Sequence, residues 1–380
     1  EGRIGIYVGS HTHFSEKQNR AIDRFCATYD AVVICDHTSG YYGKYKLLPT
    51  LVQLQSDITS PFPPLDLMVH IGEISAASFN DTIPAKEVWR VSEDGELRDP
   101  FKKLTTVFQM SEEMFFLHYG KDGCNRHVLI DECRELFGEI YEQIPELPFC
   151  NIWTAMQLSS RLPKGALFHM GVSNTRRCWN MFQLPESVES ACNVGCCGID
   201  GCVSTLVGAS LVNPDRLCYV VVGDLTFFYD LNSLGNHHIG TNLRVMLVNN
   251  GRGTEFRLGI HHCNVFGDDA DKYMAAAGHF GNKSPLLVKH YAEDLGFHYL
   301  SATTKEEFMT ALSNFTNPQL SDHSMILEVF TDSKDESEAL YLMSHIQSDA
   351  KGMVRSKLKD AVRNVAGEKG INAIKKILKK

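Results

Sequence analysis

The stretch GDLTFFYDLNSLGNHHIGTNLRVMLVNNGRG, from Gly223 to Gly253, decides how this chain folds. Its polar pairs, Gly223-Asp224 and Asn249-Asn250, each end an apolar run: Leu217 to Val222 before the first, Val245 to Val248 before the second. Such runs bounded by Gly and Asn read as buried parallel strands, with a helix over 228–239 crossing between them. Open α/β sheets bind ligands just beyond the carboxyl ends of their strands. An Asp and an Asn delivered to neighbouring strand ends supply two hard oxygen ligands, the chemistry that holds Mg²⁺ on a diphosphate.

Upstream, NVGCCGIDG (Asn193 to Gly201) precedes a small-residue helix over 202–211. Its glycines, Gly198 among them, permit positive φ and close approach of a ligand to the backbone, and the helix N-terminus behind them favours an anion. GVSNTRR (Gly171 to Arg177) follows a strand over 166–170. Ser173 at that strand end, with Arg176 and Arg177, suits a carboxylate or phosphate, which an arginine fork binds bidentately; a plain surface pair reads equally well.

The first part of the chain repeats the strand–helix alternation. Strands are expected over 4–9, 31–35, 65–71 and 87–91, with a helix over 16–29. That order indicates a parallel α/β domain with right-handed crossovers. Gly5 and Gly9 do not complete GxGxxG, which speaks against a bound nicotinamide or flavin. A break near His118–Gly123 leads into a helix over 128–144, and the second unit opens with a helix over 152–162 and closes with a strand over 325–330 and a helix over 336–345. The expected organisation is therefore α/β: two doubly wound parallel-sheet domains, residues 1–148 and 149–335, followed by a helical, basic tail over 336–380. From Lys351 onward the tail carries many Lys and Arg against Asp360 and Glu368 alone. It reads as a solvated helix or as a surface for an acidic partner or anionic lipid.

Composition narrows the class. With 43% hydrophobic and 22% charged residues in a chain of 380, this is an ordinary globular composition. A net charge of −9 argues against a general nucleic-acid binder. No apolar run approaches the ~18 residues that span a bilayer. The twelve cysteines are scattered through apparent core segments and read as buried free thiols of a cytoplasmic protein. Cys192, Cys196, Cys197 and Cys202 lack the paired spacing of a zinc site.

Four segments in order, Gly171–Arg177, NxGxxGIDGxxST (193–205), GDLxxxYDLNxL (223–234) and VNNxxGxxF (248–256), resemble the cofactor-binding half of thiamine diphosphate (ThDP) enzymes. They are most similar to the menaquinone-pathway 2-succinyl-5-enolpyruvyl-6-hydroxy-3-cyclohexene-1-carboxylate synthase family, and VWRVSEDGELRDP (88–100) is similar to that family's middle domain. The resemblance covers roughly residues 1–335. It implies Mg²⁺ ligation by Asp224, Asn250 and the backbone oxygen of Arg252, with Gly223 and Leu225 offering backbone to the diphosphate. It implies an apolar wedge at Ile199 beneath the cofactor, Phe256 beside it, and Ser173 and Arg177 at positions that hold substrate carboxylates.

The resemblance further implies decarboxylation of a 2-oxoacid and transfer of the resulting enamine to an acceptor, by a homodimer or higher assembly. An activating glutamate is implied on a pyrimidine-binding domain outside these residues, in an upstream segment or a separate subunit, so no catalytic residue is expected here. Two positions depart from the family: Val194 stands where an arginine is expected, and Glu255 where an apolar residue is. Losing a cation and gaining an anion makes the site less suited to a dicarboxylate acceptor, so a different acceptor is expected. The segment 266–284, rich in Asp and Gly, is expected as a loop–helix over the site mouth. Cell-surface polysaccharide assembly is one context the resemblance suggests. The rival reading is a non-catalytic ThDP-binding or scaffold protein working through its basic tail.

Overall fold

The computed structural model describes residues 2–58, 62–73, 83–195, 197–258 and 283–349, with isolated positions between 261 and 269 and at 353. Most of the segment 266–284 and all of 351–380 except Met353 lie outside the described residues, as does Cys196.

The first unit runs β1 (Ile4–Val8), α1 (Glu16–Tyr29), β2 (Ala31–Ile34), β3 (Lys46–Leu47), α2 (Thr50–Leu54), β4 (Leu65–Ile71), β5 (Ala85–Ser92), β6 (Leu104–Gln109), α3 (Glu112–Tyr119) and α4 (Val128–Glu142). The second runs α5 (Asn151–Leu158), β7 (Leu167–Met170), α6 (Asn174–Trp179), β8 (Glu189–Cys192), α7 (Cys202–Val212), β9 (Cys218–Gly223), α8 (Asp224–Asp230), β10 (Leu243–Asn249), α9 (Leu287–Asp294), β11 (His298–Ala302), α10 (Lys305–Phe315), β12 (Met325–Phe330) and α11 (Ser333–Ser344). Each unit builds one six-stranded sheet, ordered β3-β2-β1-β4-β5-β6 and β11-β12-β10-β9-β7-β8. Among the described residues every pairing between these strands is parallel, and helices flank the sheets, so the fold is the expected doubly wound α/β pair.

Local chemistry sets the element ends. Ser15 starts α1 with a reciprocal capping box: Gln18 N–H donates to Ser15 Oγ at 3.2 Å and Ser15 N–H to Gln18 Oε1 at 2.8 Å. Asp30 ends it in the left-handed conformation, φ 54°. Strand β10 is buried along its whole length, as a central parallel strand covered on both faces must be. Its one cation, the fully buried Arg244, donates to Thr241 O, Leu243 O and Ser321 Oγ near the amino edge of the sheet, away from the ligand edge.

The two sheets share a continuous hydrophobic core. Polar contacts fix their junction. Asn180 Oδ1 accepts from His37 N–H at 3.0 Å, Ser190 Oγ donates to His37 O at 2.7 Å, and Gln55 Nε2 donates to Met343 O at 2.8 Å. Burial lowers His37 to about 4, so its ring is neutral and its Nε2–H donates to Phe182 O at 2.8 Å. Every described cysteine is free and most are buried; burial pushes the Cys35 and Cys133 thiols up to about 12. Among the described residues, no helix is long and apolar enough to cross a membrane.

One expectation is corrected. The helix between the anchor strands was expected over 228–239; α8 instead begins at Asp224, directly on leaving β9, and the chain tightens into a 3₁₀ turn over Leu231–Gly235. Gly223, extended at φ −76° and ψ 166°, is the helix N-cap, so the strand passes into the helix with no linker. An Asp in the first turn is favoured by the helix dipole, while Asn232, Ser233 and Gly235 end the helix early.

Candidate cofactor-anchoring site

In the second sheet β9 lies between β7 and β10, with Gly223 in register with Val248. Asp224 and Asn250 therefore leave adjacent strands at the same carboxyl edge. Asp224 is 2% exposed, and its Oδ1 accepts from Leu225 N–H at 2.8 Å. Asn250 is half-buried and opens a turn through Gly251 at φ 80°. Its Oδ1 is 3.4 Å from Arg252 N, a long contact that leaves the oxygen most of its accepting capacity. Arg252 O accepts from Thr254 N–H at 2.9 Å. Among the described residues nothing lies within 4 Å of where a Cβ at Gly223 would stand.

These residues fit a cation bound through a ligand's own oxygens. Among the described residues no group of three or more His, Cys, Asp or Glu gathers to hold a metal unaided. One carboxylate, one amide oxygen and one carbonyl are hard-oxygen donors of the kind Mg²⁺ takes together with phosphate oxygens.

The neighbouring Asn249 has a different task. It is buried, and its Nδ2 donates to Glu328 Oε1 at 2.7 Å, while Tyr299 Oη donates to Glu328 Oε2 at 2.7 Å. Burial raises the Glu328 carboxyl above its ordinary value. This triad ties β10, β11 and β12 together beneath the Asn250 turn.

Two anion positions expected from the sequence are filled from within the chain. The N-terminus of α7, capped by Gly201 at φ 80°, receives Asp230 from the end of α8: Ser204 N–H and Oγ donate to its Oδ2 at 2.7 and 3.0 Å. Asp230 lies inside the YDL of the quoted stretch, and its capping role went unread. Arg177 on α6 meets Glu255 bidentately, Nη1 to Oε2 at 2.9 Å and Nη2 to Oε1 at 2.6 Å. Burial lowers Arg177, but the Glu255 hydrogen bonds and charge outweigh it and hold the guanidinium firmly ionised. Both side chains are mostly enclosed, 16% and 20% exposed.

Arg176, next to it, turns to the first unit: its Nη1 is 3.6 Å from Asp36 Oδ2, which also accepts from Asn180 Nδ2 at 3.2 Å. Arg176 thereby lines the crevice beyond β1 and β4, where the first sheet's strand order reverses. That crevice has about 20 Å³ of free space, room for one water. Ser173 is exposed, with φ 60° and ψ −121°, a conformation costly for any residue but Gly. Gly198, Ile199 and Phe256 are half-buried, and Val194 is buried at 8% exposure.

No family model matches the chain. It is 33% identical over 263 residues to 2-succinyl-5-enolpyruvyl-6-hydroxy-3-cyclohexene-1-carboxylate synthase of Bacteroides fragilis, covering 68% of this chain and 45% of that protein. The protein of the same name from Phocaeicola vulgatus is 32% identical over 265 residues, 68% of this chain and 44% of its own length. That of Christiangramia forsetii is 33% identical over 199 residues, covering 52% and 33%. The chain thus spans less than half the length of these curated relatives, and over the shared part it is similar to 2-succinyl-5-enolpyruvyl-6-hydroxy-3-cyclohexene-1-carboxylate synthases.

Proposed function

We propose that this chain is the middle and cofactor-binding portion of a ThDP- and Mg²⁺-dependent enzyme that decarboxylates a 2-oxoacid and joins the remainder to an acceptor. The observation that carries the reading is the delivery of Asp224 and Asn250 to one edge of adjacent strands beside Gly223. Asp224, Asn250 and the Arg252 carbonyl hold the cation; Gly223 and Leu225 border the diphosphate. Ile199 would pack against the cofactor and Phe256 would shield it from water. When bound, the cofactor supplies the electron sink that lets the 2-oxoacid lose CO₂. A pyrimidine-binding domain, on the same polypeptide or another, completes the site in a cytoplasmic homodimer or larger assembly.

Calorimetric titration of ThDP with and without Mg²⁺, beside Asp224→Ala, tests this. Magnesium-dependent heat that disappears in the variant is expected. No heat, even with the pyrimidine-binding domain supplied, would remove the cofactor assignment.

A further inference from the structure

We infer that Glu255 is a specificity-determining residue: its carboxylate occupies the Arg177 fork, so the acceptor met there is an uncharged aldehyde or ketone and not a carboxylate. This rests on the proposed function for the word acceptor; the occupied fork itself does not.

The geometry carries it in three steps. Arg177 and Glu255 lie on the segments that follow β7 and β10, the two strands flanking β9, at whose end Asp224 stands. The pair therefore borders the sheet edge where α/β folds place their ligands. Arg177 is the cation that a carboxylate arriving at that edge would seek, because a planar guanidinium takes a carboxylate with two parallel hydrogen bonds. Both of those bonds are already made by Glu255, at 2.9 and 2.6 Å, and Nη1 also leans toward Asn174 Oδ1 at 3.5 Å.

A second carboxylate could enter only by displacing Glu255 or by sharing the fork with it. Displacement strands a half-buried carboxylate beside the newcomer. Sharing places two negative charges on one positive charge in an enclosed space, where repulsion is poorly screened. Either route selects against a carboxylate in this fork, whereas an uncharged carbonyl group meets a neutral, hydrogen-bonded wall there. Val194 adds no compensating cation: it is apolar and buried.

Succinate, the probe, is titrated calorimetrically into the native chain, Glu255→Leu, Glu255→Gln, and Glu255→Leu combined with Arg177→Leu. The native chain is expected to show no saturable heat at millimolar succinate. Both single variants should bind at least tenfold more tightly, and the double variant should lose what the single one gained. Native binding equal to that of the variants, or no gain in variants with native circular dichroism, overturns the inference. Should Glu255→Leu fail to fold, Glu255→Gln, which keeps the size and one acceptor, decides alone. ThDP titration of the same samples reports on the cofactor reading separately, since that heat depends on Asp224.

Discussion

The backbone N–H of Asn151 donates to Glu336 Oε1 at 3.0 Å, joining the start of α5 to the first turn of α11. Thr331 Oγ1 donates to the same oxygen at 2.9 Å, and the carboxyl is fully buried. Burial raises Glu336 from 4.5 to about 7. A carboxyl with a raised folded pKa binds its proton more tightly in the native state. Its contribution is complete below 4.5 and is lost as pH climbs to about 7. Urea unfolding should therefore show the native chain losing stability across that window, with a loss on the order of 3 kcal/mol. Glu336→Gln, which carries no proton to lose, should be flat there. Parallel curves would show that Glu336 is ionised or solvated in the native state.

Ser173→Gly should stabilise the protein. The φ 60°, ψ −121° conformation costs a serine roughly 1–3 kcal/mol, from which glycine's greater unfolded freedom subtracts roughly 0.5–1 kcal/mol. A gain of about 1 kcal/mol in denaturant unfolding is expected, with none for Ser173→Ala. Equal results for both would mean the strain is not there.

Gly223→Ala separates folding from binding. Among the described residues nothing lies within 4 Å of the added Cβ, and φ is −76°, so unfolding should shift by no more than ~0.5 kcal/mol. Under the proposed function the same methyl stands where a diphosphate would meet backbone, and magnesium-dependent ThDP affinity should fall about tenfold, roughly 1.4 kcal/mol. Unchanged affinity would place the diphosphate elsewhere.

Asn242 holds the entry to both anchor strands. Its buried Nδ2 donates to Ser210 O, Asn213 O and Arg216 O at 3.1, 3.0 and 3.0 Å, and its own carbonyl accepts from Cys218 N–H at 2.9 Å. Asn242→Ala leaves those carbonyls short of a donor and should cost about 3 kcal/mol, seen as a lower urea midpoint. A midpoint within error of native would show that water replaces the amide.

The fold was legible because its signals are local. The ranges expected for α1, β4 and β12 agree with the structure to the residue, each a periodic or apolar run with polar ends. The α8 boundary was misjudged because a helix that starts directly after the last strand residue offers no linker to read. In the candidate site, residue types were legible and their allegiances were not. Asn249 and Asn250 are adjacent and chemically alike, yet a buried Glu328 far along the chain claims only one of them. Arg177 and Glu255, 78 positions apart, announce a cation and an anion without announcing that they meet.

Helix α6 is only six residues long, and its consecutive arginines answer to different sheets, Arg176 to Asp36 and Arg177 to Glu255. So short a helix turns as one rigid piece. Any rotation or slide that lengthens one ion pair also displaces the other, so α6 works as a common axle with one setting at which both couplings engage. Reseating the Arg177–Glu255 pair would therefore shift the Arg176–Asp36 contact between the two sheets as well.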